Sequence, residues 1–535
     1  MIGILLLAAA AGVPRFDLVL TGGRVVDGTG APWVRADVGI RGDRVTAIGD
    51  LSRARAAKRI DVHGLTVAPG FIDLLGQSEL NVLVDPRAES KIRQGITTEL
   101  TGEGVSPAPM NEAWVHERED WLRKYHLTVD WSDLRGYFRR LRRAKPAINV
   151  AVMVGAAQVR GVVLGFSDVQ PDAAQLRRMQ QLVERAMDQG ALGVSSGLIY
   201  QPGSFAKTDE LIALAKAAAR HGGFYATHLR SEGAHIFEAL DEAFTIGREA
   251  HIPVEIWHIK VGRSHWGHMQ DVLGRIEQAR ASGIDVTADA YPYVASANKL
   301  SSSLPEWVNA GSVDDMVARL RDPALRERIA KETGKDLDKD AIVLVSCVDP
   351  ALKKYMGKKL SEVAQAMDVA PEVAVMQLVA QDRGEVGVVR FTMKEEDVQT
   401  ALQKPWVAVD TDYGARAVDG PFEAEGAHPR AFGTMARVLG HYVREAKLFT
   451  LEEAVRKITS LPARRMGIWD RGVLRPGAYA DVVVFDPDHI EDTATFEDPR
   501  QYPRGIETVI VNGRLVLHEG KRTAERPGRA LTRAP

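Results

Sequence analysis

Between residues 67 and 412, short apolar stretches recur at intervals wide enough for a crossover helix, and no other feature of the chain restricts the fold as much. Val67–Asp73, Gly95–Leu100, Ile148–Gly155, Ala191–Ser196, Phe224–His228, Val254–His258, Ile284–Asp289 and Trp406–Asp412 are the strand candidates. Apolar runs of this length suit strands buried on both faces, as in a parallel sheet. Helical patterns lie between them, at Asp172–Gln189, Thr208–Arg220 and Gln270–Ser282. Eight strands separated by helices match the count of a (β/α)₈ TIM-like barrel, an α/β fold. Val386–Phe391 is a ninth candidate, which such a barrel does not need.

The two ends carry a different pattern. Phe16–Val26 and Val34–Ile48 alternate in the manner of strands, with turn residues at Gly22-Gly23 and Gly42-Asp43. Ala480–Phe485 and Ile506–Leu517 repeat the pattern far along the chain. One small β domain built from 16–66 and 472–535 is therefore expected around a barrel at 67–471. The interval after Ala295 is unusually long and holds charged helical stretches such as Val313–Lys335, so an inserted subdomain is expected at about 297–383. The Arg- and Pro-rich segment Arg522–Pro535 reads as a loosely held tail.

Ile2–Val13 is apolar with small residues at Ala8–Gly12, which fits a signal segment over 1–15, although no Lys or Arg follows Met1. It is too short to span a bilayer. A periplasmic or secreted location is favoured, with the cytoplasm as the alternative. A net charge of −2 over 535 residues gives no electrostatic case for nucleic acid or an anionic membrane. The single cysteine, Cys347, excludes an internal disulfide and a cysteine-cluster metal site, and reads as a small buried residue. The partner expected is a small-molecule substrate; the oligomeric state, a homo-oligomer included, stays open.

Four chemistry-bearing residues fall at or just past strand ends, where barrel enzymes build their sites. They are Glu103, His228 in Tyr-Ala-Thr-His, His258 in Glu-Ile-Trp-His, and Asp412 in Asp-Thr-Asp-Tyr. A lone histidine in such a place is as a rule a hydrogen-bonded structural group. Two histidines closing successive strands, with a carboxylate, make a zinc-type ligand set that leaves room for a water. A further aspartate can take that water's proton. His265 and His268 lie in a loop-like Arg-Ser-His-Trp-Gly-His-Met and read as supporting or surface groups.

Several long motifs then carry a resemblance. Gly190-Ala-Leu-Gly-Val-Ser-Ser-Gly-Leu-Ile-Tyr-Gln-Pro-Gly-Ser-Phe-Ala-Lys-Thr-Asp-Glu-Leu211, Gly223-Phe-Tyr-Ala-Thr-His-Leu-Arg-Ser-Glu-Gly233 and Ala290-Tyr-Pro-Tyr-Val-Ala-Ser296 are similar to the D-aminoacylase (N-acyl-D-amino-acid deacylase) family of the amidohydrolase superfamily. Ala427-His-Pro-Arg-Ala-Phe-Gly433 and Arg475-Pro-Gly-Ala-Tyr-Ala-Asp-Val-Val-Val484 fit as well, so the resemblance covers nearly the whole chain.

The resemblance implies a metal-binding barrel with a small β domain, hydrolysing N-acyl-D-amino acids with one divalent ion, zinc. Its ligands would be His228, His258 and, where the family has the cysteine of Gly-Asn-Cys-Gly, Glu103 in Thr101-Gly-Glu-Gly104. Asp412 matches the catalytic aspartate, and Lys260 and Tyr291 match groups that hold the substrate carboxylate; an assisting serine is replaced by Ala297. The chain departs from the superfamily at the first strand. There Asp-x-His-x-His becomes Asp73-Leu-Leu-Gly-Gln77, with Leu75 and Gln77 in place of two imidazoles. Leucine cannot ligate and a neutral amide is a poor zinc ligand, so a mononuclear site is expected. Hydrolysis of another amide, such as a dipeptide or lactam, and a degenerate non-catalytic barrel are the alternatives.

Overall fold

At Gly70 the chain passes from one sheet to another. The computed structural model describes residues 15–533, so the apolar run at 2–13 lies outside the described residues. The stretch Val67–Asp73, expected as one strand, divides into Thr66–Pro69 and Phe71–Asp73. A side chain at Gly70 would collide with Thr97 on the neighbouring strand.

Thr66–Pro69 belongs to a nine-stranded sheet assembled from both ends of the chain. Arg15–Val25 lies parallel to Thr66–Pro69 and antiparallel to Val34–Arg41, and Val482–Phe485 lies antiparallel to Thr66–Pro69. Ile506–Val511 and Arg514–His518 extend the sheet from there. Leu18, Leu20, Val38, Ile40, Val482 and Ile510 form its core.

Phe71–Asp73 (β1) begins the central layer. It is followed by β2 (Ile96–Thr101), β3 (Asn149–Val152, continued past Met153 by Val154–Gly155), β4 (Gly193–Gly197), β5 (Phe224–His228), β6 (Val254–Ile256), β7 (Val286–Ala290) and β8 (Val407–Val409). Every pairing among them is parallel. The first part of β3 pairs with β2 and its continuation with β4, so β3 joins the two sheets that hold these strands. Inward side chains, among them Ile72, Leu75, Leu100, Met153, Trp257 and Ala408, form one buried cluster. Leu75 is thus a core residue, fully buried where a metal ligand was the expectation in the wider superfamily. Helices cross between the strands, as at Ala173–Asp188, whose start is fixed by a reciprocal cap between Asp172 and Gln175.

The ninth strand candidate is a strand, but outside the central layer. Gly387–Arg390, within the ninth strand candidate, pairs antiparallel with Ser296–Lys299 and Ile342–Ser346 in a separate three-stranded sheet. That sheet and the helices Val313–Arg321, Leu360–Ala366 and Pro371–Gln381 enclose their own core, which includes Leu344, Cys347, Val375 and Val388. Gly387–Arg390 thus shares a core with the segment expected as an insertion. The tail is not loose. Ala530–Leu531 lies parallel to β3, Arg529 donates its backbone N–H to the Asn149 side chain, and Leu531 packs against the inner cluster. Among the described residues no single helix is long and apolar enough to cross a membrane.

β1 and β8 are the outer strands of their two sheets, and a buried charge joins their ends. The Lys91 ammonium, fully enclosed, donates to Asp73 Oδ2 at 2.6 Å, to the Thr411 hydroxyl at 2.9 Å and to the Tyr413 carbonyl at 2.7 Å. Thr411 donates its own N–H to Asp73 Oδ1 at 2.9 Å. Glu99 lies 3.4 Å from the same ammonium. Removing one partner of such a cluster strands the others in a low-dielectric interior. Lys91→Met is expected to lower stability by about 3–5 kcal/mol, measured by denaturant unfolding.

Candidate active site

Glu103 stands two residues beyond β2, between two glycines. Gly102 and Gly104 have φ of 104° and 64°, and a Cβ on either would sit 2.5 Å from the backbone of a neighbouring strand, at Met153 or Gly197. The tight turn thrusts the carboxylate inward. His228 is the last residue of β5, and His258 follows β6 by two residues with a φ of 39°. The His258 N–H donates to Asp289 Oδ1 at 2.5 Å, which anchors that unusual conformation.

The two imidazoles converge on one oxygen. His228 Nδ1 is 2.9 Å and His258 Nε2 is 3.1 Å from Glu103 Oε1. One ligand-capable atom from each of the three residues lies within 4.8 Å of the others. Zinc bonds of ~2.0–2.1 Å in a tetrahedron set ligand atoms roughly 3.3 Å apart, so the spacing suits a single ion. The donor set of two imidazoles and a carboxylate suits zinc and also manganese or iron. Glu232, Asp289, Asp410 and Asp412, with the cations Lys260 and Arg430, are buried or nearly so around the ligands.

Asp412 lies past the end of β8 at Val409, with a φ of 43°. Its Oδ2 is 2.8 Å from the Arg430 guanidinium and its Oδ1 accepts from the Gln77 amide at 2.8 Å. Burial raises its pKa above the ordinary value, against the pull of Arg430 and His258. Asp410, two residues before Asp412, is also beyond the strand, and both its oxygens are enclosed without a partner among the described residues. Burial and then Asp412 push its pKa well up.

Lys260 is buried beside the ligands. Its ammonium donates to Glu232 Oε1 at 2.5 Å and lies 2.8 Å from His258 Nδ1, so the group expected to meet a substrate carboxylate already has a carboxylate. Tyr291 has an enclosed hydroxyl with no partner among the described residues, and burial pushes its pKa to about 12. The Arg430 guanidinium lies 4.4 Å from the Tyr291 ring centre, and its Nε and Nη1 are likewise enclosed and unpaired. His265 and His268 stand outside this group; His268 pairs with Asp271 at the surface.

Sequence reasoning missed three groups here. Glu232 bridges Lys260 and His258, at 2.5 and 3.1 Å; its position four residues after His228 was the available signal. Arg430 sits inside the Ala427–Gly433 motif without a role assigned to it. Gln77 was read only as a lost ligand, yet its amide donates to Glu103 Oε2 at 2.5 Å as well as to Asp412.

Parallel strands that gather two histidines and a carboxylate at their carboxyl ends, beside an aspartate, define an α/β metal-dependent hydrolase. Residues 58–517 match the model of the amidohydrolase family, and the chain belongs to that family. The D-aminoacylase of Alcaligenes xylosoxydans xylosoxydans is 39% identical over 524 residues, covering 97% of this chain and 98% of that relative. The N-acyl-D-glutamate deacylase of the same organism is 38% identical, covering 97% of each. The crystal structure of the N-acyl-D-glutamate deacylase from Bordetella bronchiseptica, complexed with zinc and a phosphonate mimic of the tetrahedral intermediate, has a TM-score of 0.82. It is 35% identical and the match covers 97% of this chain and 100% of that one.

Two outcomes follow for the metal. Elemental analysis should give one tightly bound ion per chain; Glu103→Ala should lose it, and Glu103→Cys should regain part of the zinc affinity. The second concerns pH. Burial and Lys260 push the His258 pKa down, but Asp412, Glu103 and Glu232 outweigh them and hold it at about 10. The metal-free ring is therefore protonated at neutral pH, and a ligating ring must be neutral. Zinc affinity, read by chelator competition, should rise roughly tenfold per pH unit as pH climbs toward that value.

Proposed function

We propose that this chain is a metal-dependent hydrolase that cleaves the amide bond of N-acyl-D-amino acids, on a (β/α)₈ barrel closed at the seam between β1 and β8. The lysine-centred bonds across that seam support the closure. Residues 16–66 and 472–535 would form the small β domain and 67–471 the barrel with its insertion. The D configuration rests on the named relatives. The observation that carries the mechanism is the convergence of His228, His258 and Glu103 beside a carboxylate held by Arg430 and Gln77.

Glu103, His228 and His258 would hold one divalent ion, zinc in the closest fit to this donor set, and that ion supplies polarisation of the carbonyl and a lowered water pKa. Asp412 is the proton carrier. Arg430 and Gln77 fix both its oxygens, and its raised pKa makes it a better acceptor than an ordinary carboxylate. It takes the proton of the water that adds to the amide carbon, then returns it to the departing nitrogen. The donors of Tyr291 and Arg430 that lack a partner among the described residues, with Lys260 alongside, would hold the substrate carboxylate. Those enclosed donors would be costly unless a ligand satisfied them.

Asp412→Asn keeps the shape and removes the base. Turnover of an N-acyl-D-amino acid should fall by roughly 10²-fold or more, with the metal content retained. Near-normal turnover in Asp412→Asn would move the base elsewhere, with Asp410 next in line. No bound metal, and no activity on adding metal, would favour the degenerate barrel instead.

A further inference from the structure

Two spaces adjoin the ligand set, one at His258 and one at Glu103. One is lined by His258, Lys260, Tyr291 and Met393 and has a volume of about 10 Å³, no more than a water occupies. The other is lined by Gln77, Glu103, Tyr200 and Arg430 at its base and measures about 640 Å³. Its walls come from two places. Trp114, Trp121 and Phe166 stand on the barrel side, and Val313, Met316 and Ser346 come from the insertion. Arg383 of the insertion ties the two walls together, at 2.8 Å from Asp120 and 2.8 Å from Asp314. A volume of this size accommodates ligands of drug size, far more than an acetyl group fills.

The cations that line this cavity differ in one respect. Lys299 pairs with Glu385 at 2.5 Å, Arg416 with Glu425 at 2.6 Å and Arg430 with Asp412 at 2.8 Å, and Arg383 is paired as above. Arg118 has no carboxylate within 4.0 Å among the described residues; its guanidinium lies 5.6 Å over the Trp114 ring. Glu79 and Glu385 face it from further off, and both are engaged, by the Thr101 hydroxyl and by Lys299. Burial pulls the Arg118 pKa below its ordinary value, the mark of a cation short of a counter-charge.

We propose that the cavity between barrel and insertion is a binding site for the acyl arm of the substrate, and that it takes a long acyl group that ends in an anion at Arg118. The assignment rests on the amide-hydrolase reading above. With the carboxylate end of the substrate at Lys260 and Tyr291, where space is small, the acyl end faces the large cavity. Trp114, Trp121 and Phe166 offer apolar cover for the arm, and Arg118 offers the fork that a carboxylate fits.

The test is a ladder of N-(ω-carboxyacyl)-D-leucines, from succinyl to suberoyl, against their ω-methyl esters and N-acetyl-D-leucine. Zinc-loaded wild type is assayed for kcat/KM, and zinc-loaded Asp412→Asn is titrated by calorimetry for Kd. At the best-fitting length the acid should exceed its ester by about tenfold or more in both, as a charge-assisted bond implies. Arg118→Gln should bring that ratio near unity, while Arg118→Lys, which keeps the charge, should retain part of it. Acid and ester within twofold at every length, or an unchanged ratio in Arg118→Gln, overturns the proposal. If Arg118→Gln fails to fold, the wild-type ratio decides. If wild type turns over nothing, the hydrolase reading fails, and the calorimetric ratio alone decides the anion site.

Discussion

The arrangement at the strand ends depends on one buried ammonium. Lys91 binds Asp73 at the end of β1 and the Thr411 hydroxyl and Tyr413 carbonyl beyond β8, and it also reaches the Gly76 carbonyl at 3.3 Å. The segments it grips are the ones that carry Gln77 and Asp412. Each lies within four residues of a Lys91 contact, so two of the groups that act on the carboxylate centre are located by a residue that never touches it. Full burial of the lysine is tolerable only because its donors are used and Asp73 balances its charge.

The replacement of two imidazoles leaves the site changed in kind. Leu75 has joined the inner apolar cluster, which closes the floor of the site to water. Gln77 has turned its amide toward two carboxylates, Glu103 and Asp412, and separates their like charges with a neutral donor. Below them Asp289 and Asp410 are driven well above the ordinary carboxylate range by burial and then, in each case, by a neighbouring carboxylate. The site is therefore crowded with carboxyl groups, and Lys260 and Arg430 balance two of them, Glu232 and Asp412.

The central strands are legible in the sequence because burial on both faces leaves continuous apolar runs, and β5 has the limits that its pattern predicts. Glu103, His228 and His258 are legible because each closes or follows such a run. Lys91 and Arg430 are not, because their partners lie elsewhere in the chain and nothing local marks a buried cation; Glu232 is marked only by its spacing from His228. Gly387–Arg390 misleads for a related reason: its apolar pattern reports burial, and the insertion has a core of its own. Ala530–Leu531 is masked by basic and proline-rich surroundings, although two residues suffice to pair with β3.

That short pairing bears on how the protein is made. The strand Thr66–Pro69 needs its partner Val482–Phe485, and β3 near residue 150 takes a neighbour at 530. Neither sheet can complete itself while the chain is still being synthesised, so the halves of both must wait with unpaired edges for segments hundreds of residues downstream. Such a chain gains from being held open by a chaperone until synthesis has passed residue 531.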